Sequence, residues 1–207
     1  IAVLDMAESG SRYVPAVHAQ SISEQLEAAW RILLSDEETP PDFGMEQEYF
    51  MMNSNSIGTK WPLGWPVGGY PKPQFQYYCG TGSSNCYGRE LMNAHTKACI
   101  YAGIQIAGTN AEVAPGQWEF QIGYRGASNE SADPLTVSDH LWVARWLLYR
   151  IGEEFGISAT LDPKPVKGDW NGSGKHTNFS TNETRNPKTG MAAINNAIKA
   201  LEANHQK

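Results

Sequence analysis

The segment Phe43-Gly44-Met45-Glu46-Gln47-Glu48-Tyr49-Phe50-Met51-Met52 constrains the chain most, because it sets two carboxylates in an otherwise apolar run. Its residue types read as a buried strand. Side chains alternate faces along a strand, so Glu46 and Glu48 share one face while Met45, Gln47 and Tyr49 take the other. Paired carboxylates in such a setting repel each other and lose hydration. A solvated face on an edge strand is the competing account of this segment alone.

A second segment, Asn110-Ala111-Glu112-Val113-Ala114-Pro115-Gly116-Gln117-Trp118-Glu119-Phe120-Gln121-Ile122, has the same character. Trp118, Phe120 and Ile122 alternate with Gln117, Glu119 and Gln121, which is a strand pattern. Pro115-Gly116 signals a type II turn. If these two residues form the loop, Glu112 faces Glu119 across a hairpin, although two-residue loops prefer primed turns. Directly opposed like charges destabilise a hairpin, and a divalent cation between them reverses the sign. Oxygen donors of this kind suit Mg²⁺ or Mn²⁺, and four acids in two pairs point to more than one ion, an arrangement used in phosphoryl transfer.

A third segment runs from Asp162 to Asn178 and contains Gly172-Ser173-Gly174-Lys175. It is not a phosphate loop of the nucleotide-triphosphatase kind, since His176 follows Lys175 and no strand-then-helix context is evident. It reads instead as a turn that offers backbone N–H groups to an anion, followed by a strand with His176, Asn178 and Ser180 on one face. His18, His95, His140 and His205 have no comparable setting and read as structural or surface residues.

The remaining elements follow from periodicity and punctuation. Residues 1–5 read as a strand, with a turn at 9–11. A capping box at Ser21–Glu24 opens a helix with Ile22, Leu26, Trp30 and Leu33 on one face, stopping near Ser35. Residues 53–85 form a long structured loop. A helix fits Tyr87–Ala102, stopped by Gly103. Residues 104–122 are two strands, 124–137 a loop, and Ser138 caps a helix from Asp139 to Phe155 that ends at Gly156. Ile157–Leu161 is a short strand and Ala192–Ala203 a last helix. The sum is an α+β fold with antiparallel strands lining a site and helices packed outside.

With 41% hydrophobic and 18% charged residues the composition is globular, not disordered. A net charge of −6 argues against nucleic acid or an anionic membrane as partner. No apolar run reaches the roughly 20 residues of a membrane span. The start lacks an initiator Met and a charged leader, so the chain reads as part of a longer one. Three cysteines, Cys79, Cys86 and Cys99, form an odd set that points to reduced thiols and an intracellular home. Within the cell the expected compartment is the cytoplasm, with a plastid or mitochondrion as the alternative. The Asn-x-Ser/Thr triplets at Asn129, Asn171, Asn178 and Asn182 read as chance.

The three segments, together with Gly64-Trp65-Pro66 and Tyr77-Tyr78-Cys79-Gly80, resemble the eukaryotic-type glutamine synthetases, in order, from about Pro41 onward. The resemblance implies an antiparallel half-barrel. Residues 1–20 would close an N-terminal β-grasp-like domain, and 21–207 would be the first part of the catalytic domain. It implies that Glu48, Glu112 and Glu119 hold one metal ion, and that Glu46 and His176 hold a second, nearer the nucleotide phosphates. It assigns Asp169, Trp170, Asn171 and Gly172 to substrate glutamate, and Glu46, Glu119, Tyr124, Asn178 and Ser180 to the nucleotide. The implied reaction joins ammonia to L-glutamate with ATP through γ-glutamyl phosphate, using Mg²⁺ or Mn²⁺, in a homo-oligomer of two stacked pentameric rings with sites between subunits. A γ-glutamyl ligase for other amines and a non-catalytic assembly relative are the alternatives. The chain departs from the family pattern at Asp42, where an aromatic residue beside the nucleotide base is usual, and in the longer stretch 124–138. It also lacks the family's later half and most of its N-terminal domain, so the 207 residues alone are expected to be inactive.

Overall fold

The computed structural model describes residues 3–5, 12–14, 41–53, 61–66, 69–123 and 131–206. The helix expected over 22–35, the turn at 9–11 and Tyr124 lie outside the described residues. Two short strands, β1 (Val3–Asp5) and β2 (Arg12–Val14), pair antiparallel as a separate two-stranded sheet.

The main sheet is built around one strand, β3 (Asp42–Asn53). On one edge it pairs with β6 (Gln117–Ile122) and then β4 (Trp61–Pro62). On the other it pairs with β8 (Lys175–Ser180) and then β7 (Ile157–Thr160). Strand β5 (Ile106–Ala111) extends the sheet beyond β6. Every pairing is antiparallel, and the sheet has the half-barrel form expected from the resemblance.

The segment 42–53 becomes a central strand because its alternation satisfies both faces. Met45, Gln47, Tyr49 and Met51 are buried against the helices, together with Trp118, Phe120 and Ile122 of β6. Glu46 and Glu48 take the opposite face and remain only partly covered. Further along that face Phe50, Met52 and Ala114 close a small apolar cluster.

Helix α1 (Arg89–Tyr101) buries Leu91, Met92, His95 and Cys99, the i, i+4 stripe of an amphipathic helix. It begins at Gly88, whose φ of 89° and whose contact with Met51 both require glycine: a Cβ there would lie 2.1 Å from Met51 Sδ. Helix α2 (Pro134–Phe155) buries Val137, Leu141, Ala144, Leu148 and Gly152 and packs on α1 and β7. His95 crosses between the helices, with Nε2–H donating to Ala144 O at 2.9 Å. Helix α3 (Gly190–Ala203) follows β8.

Two expectations need correction. Helix α2 starts at Pro134 and not at Asp139, because Asp133-Pro134 is the stronger start: the Asp133 carboxylate accepts from Leu135 N at 2.9 Å and Thr136 N at 3.0 Å, while Pro134 occupies the first turn, where no N–H is needed. The hairpin register also differs. Ala111 opposes Trp118 and Asn110 opposes Glu119, so Glu112 does not face Glu119. The type II turn is present, with Gly116 at φ 73° and Gln117 N donating to Ala114 O at 3.2 Å. Its twist does not match that of a two-residue hairpin loop, so the chain closes through a wider connection over 112–116.

The Asp133 cap carries a pH signature. Burial alone would raise its carboxyl pKa, but hydrogen bonds from Thr136, Ser131 and the Leu135 amide outweigh burial and hold it below 3.8. A depressed folded pKa stabilises the fold above the unfolded value, and the stabilisation is lost as pH falls through the folded value. Asp133→Ala is therefore expected to cost about 1 kcal/mol at pH 7. The deficit should shrink below pH 3.8, as urea melts across that range would show.

Candidate active site

Strand β3 places its two acids between different neighbours. Glu48 sits directly opposite Glu119 on β6, and Glu46 lies between Gln121 on β6 and His176 on β8. The opposed like-charged pair is thus Glu48/Glu119. Glu112 joins from the start of the 112–116 connection, and carboxylate oxygens of Glu48, Glu112 and Glu119 all lie within 4.8 Å of one another. Glu112 is 8% and Glu119 6% exposed.

Each acid is held from outside by neutral donors. Glu112 accepts from Asn110 Nδ2 at 3.1 Å and from Val113 N at 3.2 Å. Glu119 accepts from Gln121 Nε2, which also reaches Asn110 Oδ1 at 2.7 Å. Glu48 Oε2 accepts from Gly174 N at 2.7 Å. No lysine or arginine forms an ion pair with the three among the described residues. The carboxyl pKa values of Glu112 and Glu119 are both raised, first by burial. Then Glu48 and Glu119 raise Glu112, and Glu46 and Glu48 raise Glu119, against the hydrogen bonds that lower each. A compact set of hard oxygen donors, buried and left without an organic cation, fits Mg²⁺ or Mn²⁺.

A second group lies beside it. His176 Nδ1 is 3.4 Å from Glu46 Oε2, and Asn178 Nδ2 donates to Glu46 Oε1 at 2.5 Å. This joins three of the residues predicted from the resemblance on adjacent strands. Ser180 belongs to a different arrangement: its Oγ accepts from Arg185 Nη1 at 2.8 Å, and the same guanidinium pairs with Asp42 at 2.9 Å. Asp42 is therefore tied into an ion pair.

The 163–174 loop closes the other side. Asn171 Nδ2 donates to Gln117 Oε1 at 3.0 Å, and Gln117 Nε2 donates to Gly172 O at 2.9 Å. Gln74 accepts from Asn171 N at 2.6 Å and donates to Asp169 O at 3.1 Å. The Trp170 ring lies 4.5 Å from Trp65. The expectation that this turn offers free amides to an external anion needs correction: Asn171 N goes to Gln74, Ser173 N to Pro163 O at 2.9 Å and Gly174 N to Glu48. The anion that this loop grips is the chain's own Glu48.

Several residues of the site were missed by sequence reasoning. Gln117 and Gln121 share a face with Glu119 by alternation, which was a usable signal. Asn110 acts within its own hairpin, through Glu112 and Gln121, whereas Gln74, Gln47 and Arg145 act through long-range partners that no local pattern reveals.

Fold and site together define an α+β domain whose open antiparallel sheet presents a cluster of carboxylates of the kind that holds divalent cations. The family profile "Glutamine synthetase, catalytic domain" matches residues 24–199, and the chain belongs to the glutamine synthetase family. It is 51% identical over 166 residues to the glutamine synthetase of Homo sapiens, covering 80% of this chain and 41% of that protein. It is 50% identical over 167 residues to that of Neurospora crassa, covering 81% of this chain and 43% of that protein. The chain thus spans about two fifths of the length of these curated relatives.

Raised folded-state pKa values mean that the cluster favours folding below the ordinary value of 4.5 and opposes it as pH rises through the raised values. In metal-free protein at pH 7, Glu119→Gln is expected to raise Tm by about 2–4 °C by relieving repulsion worth about 1 kcal/mol. The gap should close near pH 4.5, and saturating Mg²⁺ should reverse the order in favour of the wild type, all readable by scanning calorimetry.

Proposed function

We propose that the protein of which this chain is part ligates ammonia to the γ-carboxyl of L-glutamate with ATP, giving L-glutamine, ADP and phosphate. The observation that carries this reading is the convergence of Glu48 from β3 with Glu112 and Glu119 from the 110–122 hairpin into one largely buried cluster. Family membership supports the reaction class.

In this reading Glu48, Glu112 and Glu119 hold one divalent ion and Glu46 with His176 a second. Bound cations there supply positive charge that offsets the repulsion between glutamate and the ATP phosphates. A γ-carboxylate oxygen of glutamate attacks the γ-phosphorus of ATP, ADP leaves, and an acyl phosphate forms. Ammonia then attacks the acyl carbon, phosphate leaves with the C–O bond electrons, and the nitrogen gives up a proton.

The chain's own residues orient and enclose. Asn171 and Gly172, bound to Gln117, form the glutamate-facing wall with Asp169 and Trp170 at its rim. Asn178 steadies Glu46 next to His176, the pair that would hold the second ion and, through it, supply positive charge on the nucleotide side. Ser180 and Tyr124 are assigned to the nucleotide on the family resemblance alone. Residues 1–20 belong to a preceding domain, supported by the separate β1–β2 sheet. The active assembly is a homo-oligomer, taken as two pentameric rings. The three unpaired thiols support an intracellular, cytoplasmic setting.

The test is glutamine formation by the full-length protein from glutamate, ammonia, ATP and Mg²⁺, with Glu112→Ala alongside. The intact protein should make glutamine, and the variant should lose a hundredfold or more, the order expected when charge stabilisation at a reacting centre is removed, at about 10²–10³. Full activity in Glu112→Ala contradicts the metal assignment. Turnover only with larger amines redirects the reading to another γ-glutamyl ligase, and no turnover to an assembly relative.

A further inference from the structure

Behind the carboxylates, on the helix side of the sheet, lies a contact that the metal and substrate residues do not explain. Arg145 of α2 turns its guanidinium onto the side chain of Gln47, which is only 3% exposed. Arg145 Nε donates to Gln47 Oε1 at 3.0 Å and Nη2 donates to the same oxygen. Gln47 Nε2 in turn donates to Glu48 O at 2.8 Å and to Gly174 O at 3.4 Å.

Residue Gly174 is therefore bonded on both of its flanking peptides. Its carbonyl accepts from Glu48 N at 3.1 Å as well as from Gln47, and its N–H holds Glu48 Oε2 at 2.7 Å. The two peptides that meet at the Gly174 α-carbon thus link the amide of Gln47 to a carboxylate of the cation cluster.

We propose that Arg145 is a positioning residue that fixes Glu48 for cation binding by locking the orientation of the Gln47 amide. The inference rests on the reading of Glu48, Glu112 and Glu119 as a cation site. A glutamine amide has a donor end and an acceptor end of nearly equal shape, so its orientation is set by its partners. A guanidinium only donates. Two N–H groups on one oxygen force Oε1 toward α2 and leave Nε2 to face two carbonyl oxygens. Flipped, the amide would set its oxygen against the Glu48 and Gly174 carbonyls, and the 174–175 peptide would shift away, carrying the Gly174 α-carbon and the N–H on its other side with it. The Gly174 N–H would then leave Glu48 Oε2, and the carboxylate would no longer be held toward Glu112 and Glu119.

The location suits the role. Arg145 lies on the opposite side of the sheet from the carboxylates, and its guanidinium carbon sits 5.2 Å from the Trp142 ring centroid, which restrains it away from the acids. Its charge strengthens the hydrogen bonds to Gln47. Supporting residues behind metal ligands typically change metal affinity by about 10–100-fold when mutated.

The experiment uses full-length protein and Mn²⁺ binding followed by electron paramagnetic resonance, with amide hydrogen exchange of the segment around Gly174 in the metal-free state. Three variants serve: Arg145→Met, Arg145→Lys and Gln47→Glu. Gln47→Glu keeps an acceptor for Arg145 but removes both donors to the carbonyls, so it tests the relay with the Arg145 partner intact. We expect Arg145→Met and Gln47→Glu to weaken Mn²⁺ binding about tenfold and to speed exchange at Gly174, with Tm largely retained. Arg145→Lys, which keeps one donor, should recover most of the affinity. If Arg145→Met does not fold, Gln47→Glu and Arg145→Lys still decide the matter. Wild-type Mn²⁺ affinity and Gly174 exchange in Gln47→Glu overturn the relay alone. Absence of Mn²⁺ binding by the wild type overturns the cation site and the relay with it.

Discussion

Like-charge repulsion among Glu48, Glu112 and Glu119 is the constraint around which the rest of the domain is arranged. Acids this close and this buried do not stay together unless the backbone leaves them little choice. Strand β3 supplies that restriction. It is hydrogen-bonded on both edges, so Glu46 and Glu48 cannot turn away from β6 and β8 without breaking ladders on either side. Its other face buries Met45, Tyr49 and Met51 under α1 and α2. Core packing on one side thus holds an electrostatically unfavourable cluster on the other, and a divalent ion bound there would turn that strain into binding energy.

Neutral amides surround the cluster in place of cationic side chains. Asn110, Gln121 and the Val113 and Gly174 amides fix the direction of each carboxylate without neutralising it. A lysine or arginine in their place would form a stable ion pair and compete with the metal. Positive charge is kept behind the sheet at Arg145 or at the far end of the site at Arg185, each with its own acceptors. Gln47 and Gln117 then connect the 163–174 loop to the sheet and Gln74 ties it to the segment between β4 and α1, each offering a donor and an acceptor from one side chain.

Much of this was legible in the sequence. The alternation through 43–52 and 117–122 identified the two strands and the faces carrying Glu46, Glu48 and Glu119, because a period of two leaves one solution when one face is apolar. The start of α2 was misjudged because the polar stretch before Ser138 hid Asp133-Pro134. The hairpin register failed because a type II turn was treated as a loop complete in itself, which moved Glu112 by two positions relative to β6. Family resemblance placed Glu112 beside Glu48 and Glu119 despite that error. The Gly174–Glu48 bond and the Arg145–Gln47 contact depend on residues more than ninety positions apart, and no local pattern encodes such pairings. The tie of Asp42 to Arg185 was hidden for the same reason.

The most direct test of a shared ion is diffraction from crystals of the full-length protein grown with Mn²⁺, collected on both sides of the manganese absorption edge. The account predicts an anomalous peak bonded to carboxylate oxygens of Glu48, Glu112 and Glu119 together. A peak that any one of these three fails to touch, or no peak between them at saturating Mn²⁺, would contradict it.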